Sequence, residues 1–468
     1  MIMIFLQMRI PAVLDADTGY HFAVANYTHS HGILQEFPWT RFSWLAEHYA
    51  DKELLFHLLF VPLTNVELVW ASRIIGILLA TVLLLTLYVV AVREGVQGAG
   101  TWVLVTLLAS SSFLFRLCAV RPHLLSIPLA VLCVWAAARE RWALLAVVGF
   151  LYPLSYAAWH LPIVLVAVVE VTRLVTRKRL SWKPLVIICA SVALGVVVHP
   201  NFPRNLDLLW IQNYVVLVEV AWGGLPGFEM GPEFDPWGLP DYLRYAMIPT
   251  LFTVVATVRT WRHRGADILP YAFSLVAVAF LVLTLRTSRF IEYLVPFSCL
   301  ALALTMKSVR PSPRAGLLLG CLLYMSLVAS WPVVRMGRRV DEFPDEVVRD
   351  LRKAIPEGSQ VVTCDWGMTG RMLLALPERY FLVALDPVFM WVEDQDKYRT
   401  WYKTVHSPPN EPAALLRDTF DAQFILCDSR PKWARFHGAL MRDSVAQPRL
   451  ATGLWRVYEL RPQRFDPR

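Results

Sequence analysis

The chain has 468 residues, 56 % of them hydrophobic and only 18 % charged, with a mean hydropathy of +0.46. Soluble domains run near 45–50 % apolar and about 25 % charged, so most soluble folds are excluded and a bilayer must take up the apolar excess. The net charge of +8 is uneven: residues 1–334 hold 24 basic and 18 acidic side chains, residues 335–468 hold 21 and 19.

Residues 1–14 are apolar but short. Fourteen helical residues reach about 21 Å, against a hydrocarbon core of about 30 Å, and Arg9 and Pro11 interrupt them. No small-residue cleavage site follows, so a curtailed first helix is expected rather than a signal peptide. A long polar loop, 15–68, comes next. It opens Asp15-Ala16-Asp17-Thr18-Gly19-Tyr20-His21, passes an aromatic-basic stretch at 37–44 and reaches His48-Tyr49-Ala50-Asp51-Lys52-Glu53. Two carboxylates one residue apart could hold a divalent cation or act as a general base; a solvated loop start and helix cap would explain them equally.

Ten apolar runs follow: 69–92, 101–119, 123–138, 142–157, 161–176, 184–198, 245–258, 268–285, 293–307 and 315–334. Lys and Arg collect at every second connection, at Arg93, Arg139/Arg141, 173–183, 259–264 and 307–314, which together hold fourteen of the 24 basic residues. The positive-inside rule puts these in the cytoplasm. Loop 15–68, the turns near 120 and 159, the stretch 199–244, the turn 286–292 and the whole tail then lie outside. The expectation is a multi-pass protein of the bacterial cytoplasmic membrane with an extracytoplasmic C-terminal domain.

Several cations sit on the disfavoured outer side: Arg116, Arg121-Pro122-His123, His160, His199 with Arg204, and Arg286 with Arg289. Ionisable groups at membrane depth mark sites or pathways, and guanidinium forks pair with phosphate oxygens. Together these residues point to an anion site, although any one of them could instead snorkel to the interface or pair locally, as Arg289 with Glu292. His57 and Arg73 read as interfacial. Residues 206–222 read as a helix along the membrane surface, and loop 223–242, with Glu229, Glu233 and Asp235, as a lid or a disordered connection.

The tail, 335–468, alternates as a small α/β domain. Helices are expected at 341–355, 393–406 and 411–420, and strands at 360–364, 380–385, 423–427 and 455–460. The turns 366–370 and 385–389 lack a nucleotide fingerprint, so a binding or capping role is expected. Cys364 and Cys427 read by default as separate buried thiols, although an extracytoplasmic tail permits a disulfide. No metal spacing occurs and no nucleic-acid partner is expected.

The segment Asp17–His21, the stretch through His31-Gly32, Phe42-Ser43 and His48–Leu55, the Arg121-Pro122-His123 turn and the Arg289-Phe290 to Pro296-Phe297 stretch resemble the GT-C superfamily. These polytopic membrane glycosyltransferases include oligosaccharyltransferase catalytic subunits, protein mannosyltransferases and lipid A aminoarabinose transferases. The resemblance is to a bacterial branch and is topological over most of the chain. It implies an α-helical polytopic membrane protein of about ten or eleven spans, 1–334, with a C-terminal extracytoplasmic α/β domain, 335–468. It also implies transfer of a sugar from a polyprenyl-phosphate carrier to an unidentified acceptor on the outer face. Asp17 would be the base and Asp15 a second carboxylate. Arg121 with Arg286 or Arg289 would clamp the phosphate, and His21, His123 and His199 would line the substrate. Two other classes stay open: a transporter or flippase of an anionic lipid-linked solute, and a non-catalytic envelope protein on the same scaffold.

Overall fold

The computed structural model describes residues 2–9, 13–224, 228, 230–263, 265, 267–307, 313–335 and 343–462. After α1 (Ile2–Arg9), the first loop carries α2 (Asp17–His31), α3 (Leu45–His48) and α4 (Leu54–Phe60). The apolar bundle runs α5 (Leu68–Arg93), α6 (Ala99–Leu108), α7 (Ser111–Cys118), α8 (His123–Ala138), α9 (Trp142–Ser155), α10 (Leu161–Arg177) and α11 (Trp182–Val198). It resumes with α14 (Met247–His263), α15 (Ile268–Arg286), α16 (Ile291–Met306) and α17 (Pro313–Arg335); α12 (Arg204–Trp210) and α13 (Leu239–Tyr245) lie in the intervening outer segment. Among the described residues, α5, α15 and α16 with the turn just before it (Ser288–Met306) are long and apolar enough to cross a bilayer, and α6 with α7 makes a fourth as a bent pair.

That pair corrects the expectation of one straight span at 101–119. The chain turns by 95° between α6 and α7, because Ser110, in extended conformation, accepts the Phe113 N–H at 3.2 Å and caps a new helix. A serine cap offers the backbone an alternative to continuing the first helix. The turn carries Arg116 into the protein, where it is buried.

Ion pairs fix which helix ends share a side. At one end of the bundle Arg139, at the close of α8, pairs with Glu94 beyond α5 and with Asp267 before α15, the latter at 2.8 Å. Lys307, beyond α16, reaches the same Asp267 at 3.5 Å. At the other end of α16, Glu292 pairs with Arg116. The fifteen residues from Glu292 to Lys307 separate the two charge clusters by about 22 Å at 1.5 Å per residue. This parity agrees with the alternation of basic loops in the sequence.

In the tail, α18 (Asp345–Ala354), α19 (Thr369–Ala375), α20 (Val388–Glu393), α21 (Gln395–His406), α22 (Pro412–Phe420) and α23 (Ala434–Leu440) accompany β1 (Gln360–Thr363), β2 (Tyr380–Phe381), β3 (Phe424–Asp428), β4 (Ala446–Thr452) and β5 (Trp455–Leu460). The strand order is β2-β1-β3-β5-β4. β1 lies parallel to β2 and β3, while β5 is antiparallel to β3 and β4. Cys364 and Cys427, which end the neighbouring β1 and β3, form a disulfide with Cα atoms 5.3 Å apart, so the default of two separate thiols is corrected. Parallel neighbours put the two strand ends side by side, within the spacing a disulfide requires.

The tail does not stand apart. One hydrophobic cluster joins Tyr20, Val24, Phe37, Trp39 and Tyr49 of the first loop to Leu208 and Val216 of the outer segment and to Leu373, Phe381 and Phe389 of the tail. Phe381 N–H donates to Trp39 O at 2.8 Å and Trp44 N–H to Phe389 O at 3.1 Å. The closest approach is between α2 and α19: a Cβ on Gly370 would stand 2.7 Å from Ala16 O, and one on Gly19 would stand 2.8 Å from Gly370 O. Only glycine lets these backbones touch.

Candidate active site

The ends of α7, α8 and α16 that lie away from the Arg139–Asp267 cluster supply the cations. Arg116 comes from α7, Arg121 from the turn before α8, and Arg289 from the single 3-10 turn Ser288–Phe290. All three converge on one carboxylate. Glu233 accepts from Arg116 at 2.9 and 3.0 Å, from Arg121 at 2.8 Å and from Arg289 at 3.0 Å. Burial disfavours ionisation of Glu233, but Arg121, Arg116 and Arg289 outweigh it and hold the carboxyl well below its usual range. The segment bearing it is seated by Ser288, whose N–H donates to Asp235 O at 3.1 Å and whose hydroxyl donates to Glu233 O at 3.0 Å.

Two further carboxylates complete the cluster. Asp15 accepts from Arg121 Nε and from its NH2 at 3.0 Å, and Glu292 accepts from Arg116 Nε. Three guanidiniums therefore face three carboxylates. The pairing of Arg289 with Glu292 is replaced by Arg289 with Glu233 and Arg116 with Glu292, because the turn at 288–290 sets Arg289 off the α16 surface.

Asp17 stands at the rim. Its N–H donates to Asp15 Oδ1 at 3.2 Å, and its carboxylate lies 3.2 Å from Arg121 NH2 with half of the side chain exposed. Protein on its inner side withdraws part of its water, and Asp15, Glu233 and Asp386 repel its charge; against the pull of Arg121, these raise its pKa from 3.8 to about 7. A carboxylate poised there can take a proton at neutral pH, as a general base must. Lys52 and Asp386 also face this space. Burial works against the Lys52 ammonium, but Glu53, Asp386 and Asp17 keep it charged. Asp386, from the turn 385–389, receives Gln212 Nε2 at 3.4 Å. The tail thus lends a charge to the outer site.

The other candidates are distributed as follows. His123 is buried beneath the arginines, with Nε2 3.0 Å from Arg116 O, and braces the backbone that carries Arg116. Arg286 lies outside the cluster, exposed, donating to Trp222 O at 2.6 Å. His199 is buried, accepts the Asn201 N–H at 3.1 Å and lines a small recess with Asp51, Lys52, Tyr156 and Leu208. His21 does not reach the arginines. It meets His57, Glu53 and Asp51 between α2 and α4, with its Nδ1 2.8 Å from His57 Nε2, while His57 Nδ1 lies 2.7 Å from Asp51. His57 is only 1 % exposed, which corrects its reading as interfacial. Arg73 stacks over Trp70 at 4.7 Å.

In the sequence Arg116 stands among the outer cations without a part in the phosphate clamp, while Glu233 reads only as part of a lid or disordered connection and Lys52 only as part of the 48–53 stretch. The signal for Glu233 was present: an acidic residue in a loop facing several unmatched arginines is their natural counter-ion.

The bundle, the long first loop with its acidic start, and the C-terminal α/β domain share their fold with membrane proteins of known structure. Among solved structures, the oligosaccharyltransferase of Archaeoglobus fulgidus in its apo form superposes with a TM-score of 0.65 at 12 % identity, over 94 % of this chain and 70 % of that one. The archaeal oligosaccharyltransferase AglB from the same organism, in complex with an inhibitory peptide and a dolichol-phosphate, gives 0.63 at 12 %, again over 94 % and 70 %. ArnT of Cupriavidus metallidurans bound to undecaprenyl phosphate gives 0.59 at 14 % identity, over 98 % of this chain and 96 % of that one. No family model matches the sequence and no curated protein matches it.

Proposed function

We propose that the protein is a membrane glycosyltransferase that moves a sugar from a polyprenyl-phosphate carrier to an acceptor on the outer face of the bacterial cytoplasmic membrane. The observation that carries this reading is the convergence of Arg116, Arg121 and Arg289 on one carboxylate, beside Asp17 with its raised pKa. Fixed guanidiniums within a few ångströms of a general base suit a reaction that expels a phosphate. Neighbours with this fold that hold dolichol-phosphate and undecaprenyl phosphate add support.

In this reading Asp17 takes the proton from the acceptor as the acceptor atom bonds to the anomeric carbon. The bond from that carbon to the phosphate oxygen breaks, and the lipid phosphate leaves with the electron pair, held by Arg121 and Arg289. Glu233, the carboxylate that the three arginines hold, gives up its place to the phosphate. His123 keeps Arg116 in position, and Asp386 and Lys52 face the entering acceptor.

The test is sugar transfer from polyprenyl-phosphate donors to membrane acceptors, with Asp17→Asn alongside the wild type. The variant should lose transfer while still binding undecaprenyl phosphate. Full activity in Asp17→Asn would remove Asp17 as base. A transporter has less support among the described residues: at the opposite end the buried Arg173 pairs with the buried Glu170 at 3.3 Å and with the exposed Glu140 at 2.8 Å.

A further inference from the structure

The second ionisable cluster, between α2 and α4, has no part in the chemistry above. Three atoms face one another there: His21 Nδ1, His57 Nε2 and Glu53 Oε2. Their separations are 2.8 Å between the two nitrogens, 3.6 Å from His21 Nδ1 to Glu53 Oε2 and 3.9 Å from His57 Nε2 to the same oxygen. Tetrahedral zinc, with ligand bonds of about 2.0–2.2 Å, needs ligand atoms about 3.3 Å apart. The observed triangle brackets that spacing, so the side chains need shift only a few tenths of an ångström.

A second, independent observation concerns Glu53 Oε2. It is buried, points at the two imidazoles and accepts no hydrogen bond, although the residue is only 8 % exposed. A buried carboxylate oxygen without a donor is costly, and a cation between it and the imidazoles would satisfy it. The other oxygen, Oε1, faces Lys52 at 3.9 Å.

The surroundings suit ligation. Asp51 accepts from His57 Nδ1 at 2.7 and 2.9 Å, which fixes the tautomer that leaves Nε2 with its lone pair. A carboxylate behind a ligating histidine is the usual outer-shell support of zinc. His21 needs its Nδ1 free, and this requires only that its proton sit on Nε2.

We propose that His21, Glu53 and His57 form a divalent transition-metal site of the zinc class, with Asp51 as the support behind His57. Two imidazoles and one carboxylate favour zinc over magnesium or calcium, which take oxygen ligands. The site is distinct from the Asp15/Asp17 pair, whose Asp15 is engaged with Arg121. Its role is positional. The metal would tie α2 to α4 across more than thirty residues of loop, and Asp17 lies one helical turn from His21, so the tie fixes how α2 presents Asp17 to Arg121.

The experiment uses the full-length protein in detergent, stripped with a chelator, desalted and titrated with Zn2+ alone. Uptake is measured by calorimetry and by metal content after a second desalting. The wild type should retain about one zinc per chain, and Co2+ in its place should give the visible bands of a low-coordinate imidazole site. Glu53→Gln conserves volume and should weaken Zn2+ binding at least tenfold, as should His21→Asn. His31→Ala, which removes an exposed histidine of the same helix, should retain the metal. A monodisperse wild type that takes up no zinc would overturn the proposal. So would retention of one zinc per chain by Glu53→Gln, which carries the test should His21→Asn fail to fold.

Discussion

Replacing Glu233 by Gln keeps the shape of the resident anion and removes its charge. Arg116, Arg121 and Arg289 face Asp15, Glu233 and Glu292, with Asp17 3.2 Å from Arg121 at the rim, so the cluster carries no excess positive charge. A lipid phosphate can join it without excess negative charge only if Glu233 withdraws. Withdrawal breaks four N–H···O contacts of 2.8–3.0 Å. Charge-assisted hydrogen bonds contribute about 1.5–3 kcal/mol each and neutral ones about 0.5–1.5, so an amide should be displaced more easily by roughly 1 kcal/mol per bond. The carboxylate is partly solvated, and water returns to it on release, which offsets most of that sum. A net gain of about 1.4–2.8 kcal/mol remains, which corresponds to tenfold to hundredfold tighter binding. The assay is titration of undecaprenyl phosphate into detergent-solubilised wild type and Glu233→Gln, followed by thermophoresis or native mass spectrometry. Without lipid, the variant should also melt a few degrees lower, since three guanidiniums then share two carboxylates. Unchanged or weaker lipid binding by a monodisperse Glu233→Gln protein would refute competition between this carboxylate and the phosphate.

The remaining predictions concern other parts of the molecule. Sugar transfer should rise with pH through about 7, because a base with a raised pKa ionises only there; folding stability runs the other way, with the cost of ionising Asp17 appearing between about pH 4 and 7. A pH-independent rate over that window would contradict the role of Asp17. Arg289→Ala should weaken undecaprenyl phosphate binding at least tenfold, whereas Arg286→Ala, whose guanidinium contacts Trp222 O, should leave it within about twofold; equal losses in the two variants would contradict the assignment. Cys364→Ser with Cys427→Ser opens a cross-link spanning 63 residues and should cost up to about 4 kcal/mol by loop entropy, read as a lower melting temperature that added reductant does not lower further. Gly370→Val should place side-chain atoms against Ala16 O, lower transfer and destabilise the protein; wild-type activity would show that α2 and α19 need not touch.

The apolar spans were legible because a bilayer imposes length and composition on a helix directly. The break at Ser110 was not, since a cap competes with continuation only locally and the apolar run passes through it. In the tail, β1, β3 and β5 were legible as buried apolar strands, whereas β4 was missed. It is an edge strand with mostly exposed residues, a proline at 448 and a register shift between Pro448 and Leu450, so it lacks the alternation a sequence reading needs. Asp17 and Arg121 stand out in local motifs, but Glu233, which accepts from Arg121, lies more than a hundred residues away, in a stretch whose composition reads only as loop. Likewise His21, Glu53 and His57 meet across a fold in the loop, at a spacing that no short pattern encodes. Arg286 and Arg289 looked equivalent in sequence; the 3-10 turn between α15 and α16 separates them.

The contact between Gly19 and Gly370 has a mechanical consequence. Where two backbones meet without side chains between them, there is no compliant layer to absorb a displacement. A tilt of the outer domain by a fraction of an ångström at α19 is therefore delivered whole to α2 and to the carboxylate at its first turn. A molecule that docks on the far side of that domain, remote from Arg116, Arg121 and Arg289, has a lever on Asp17.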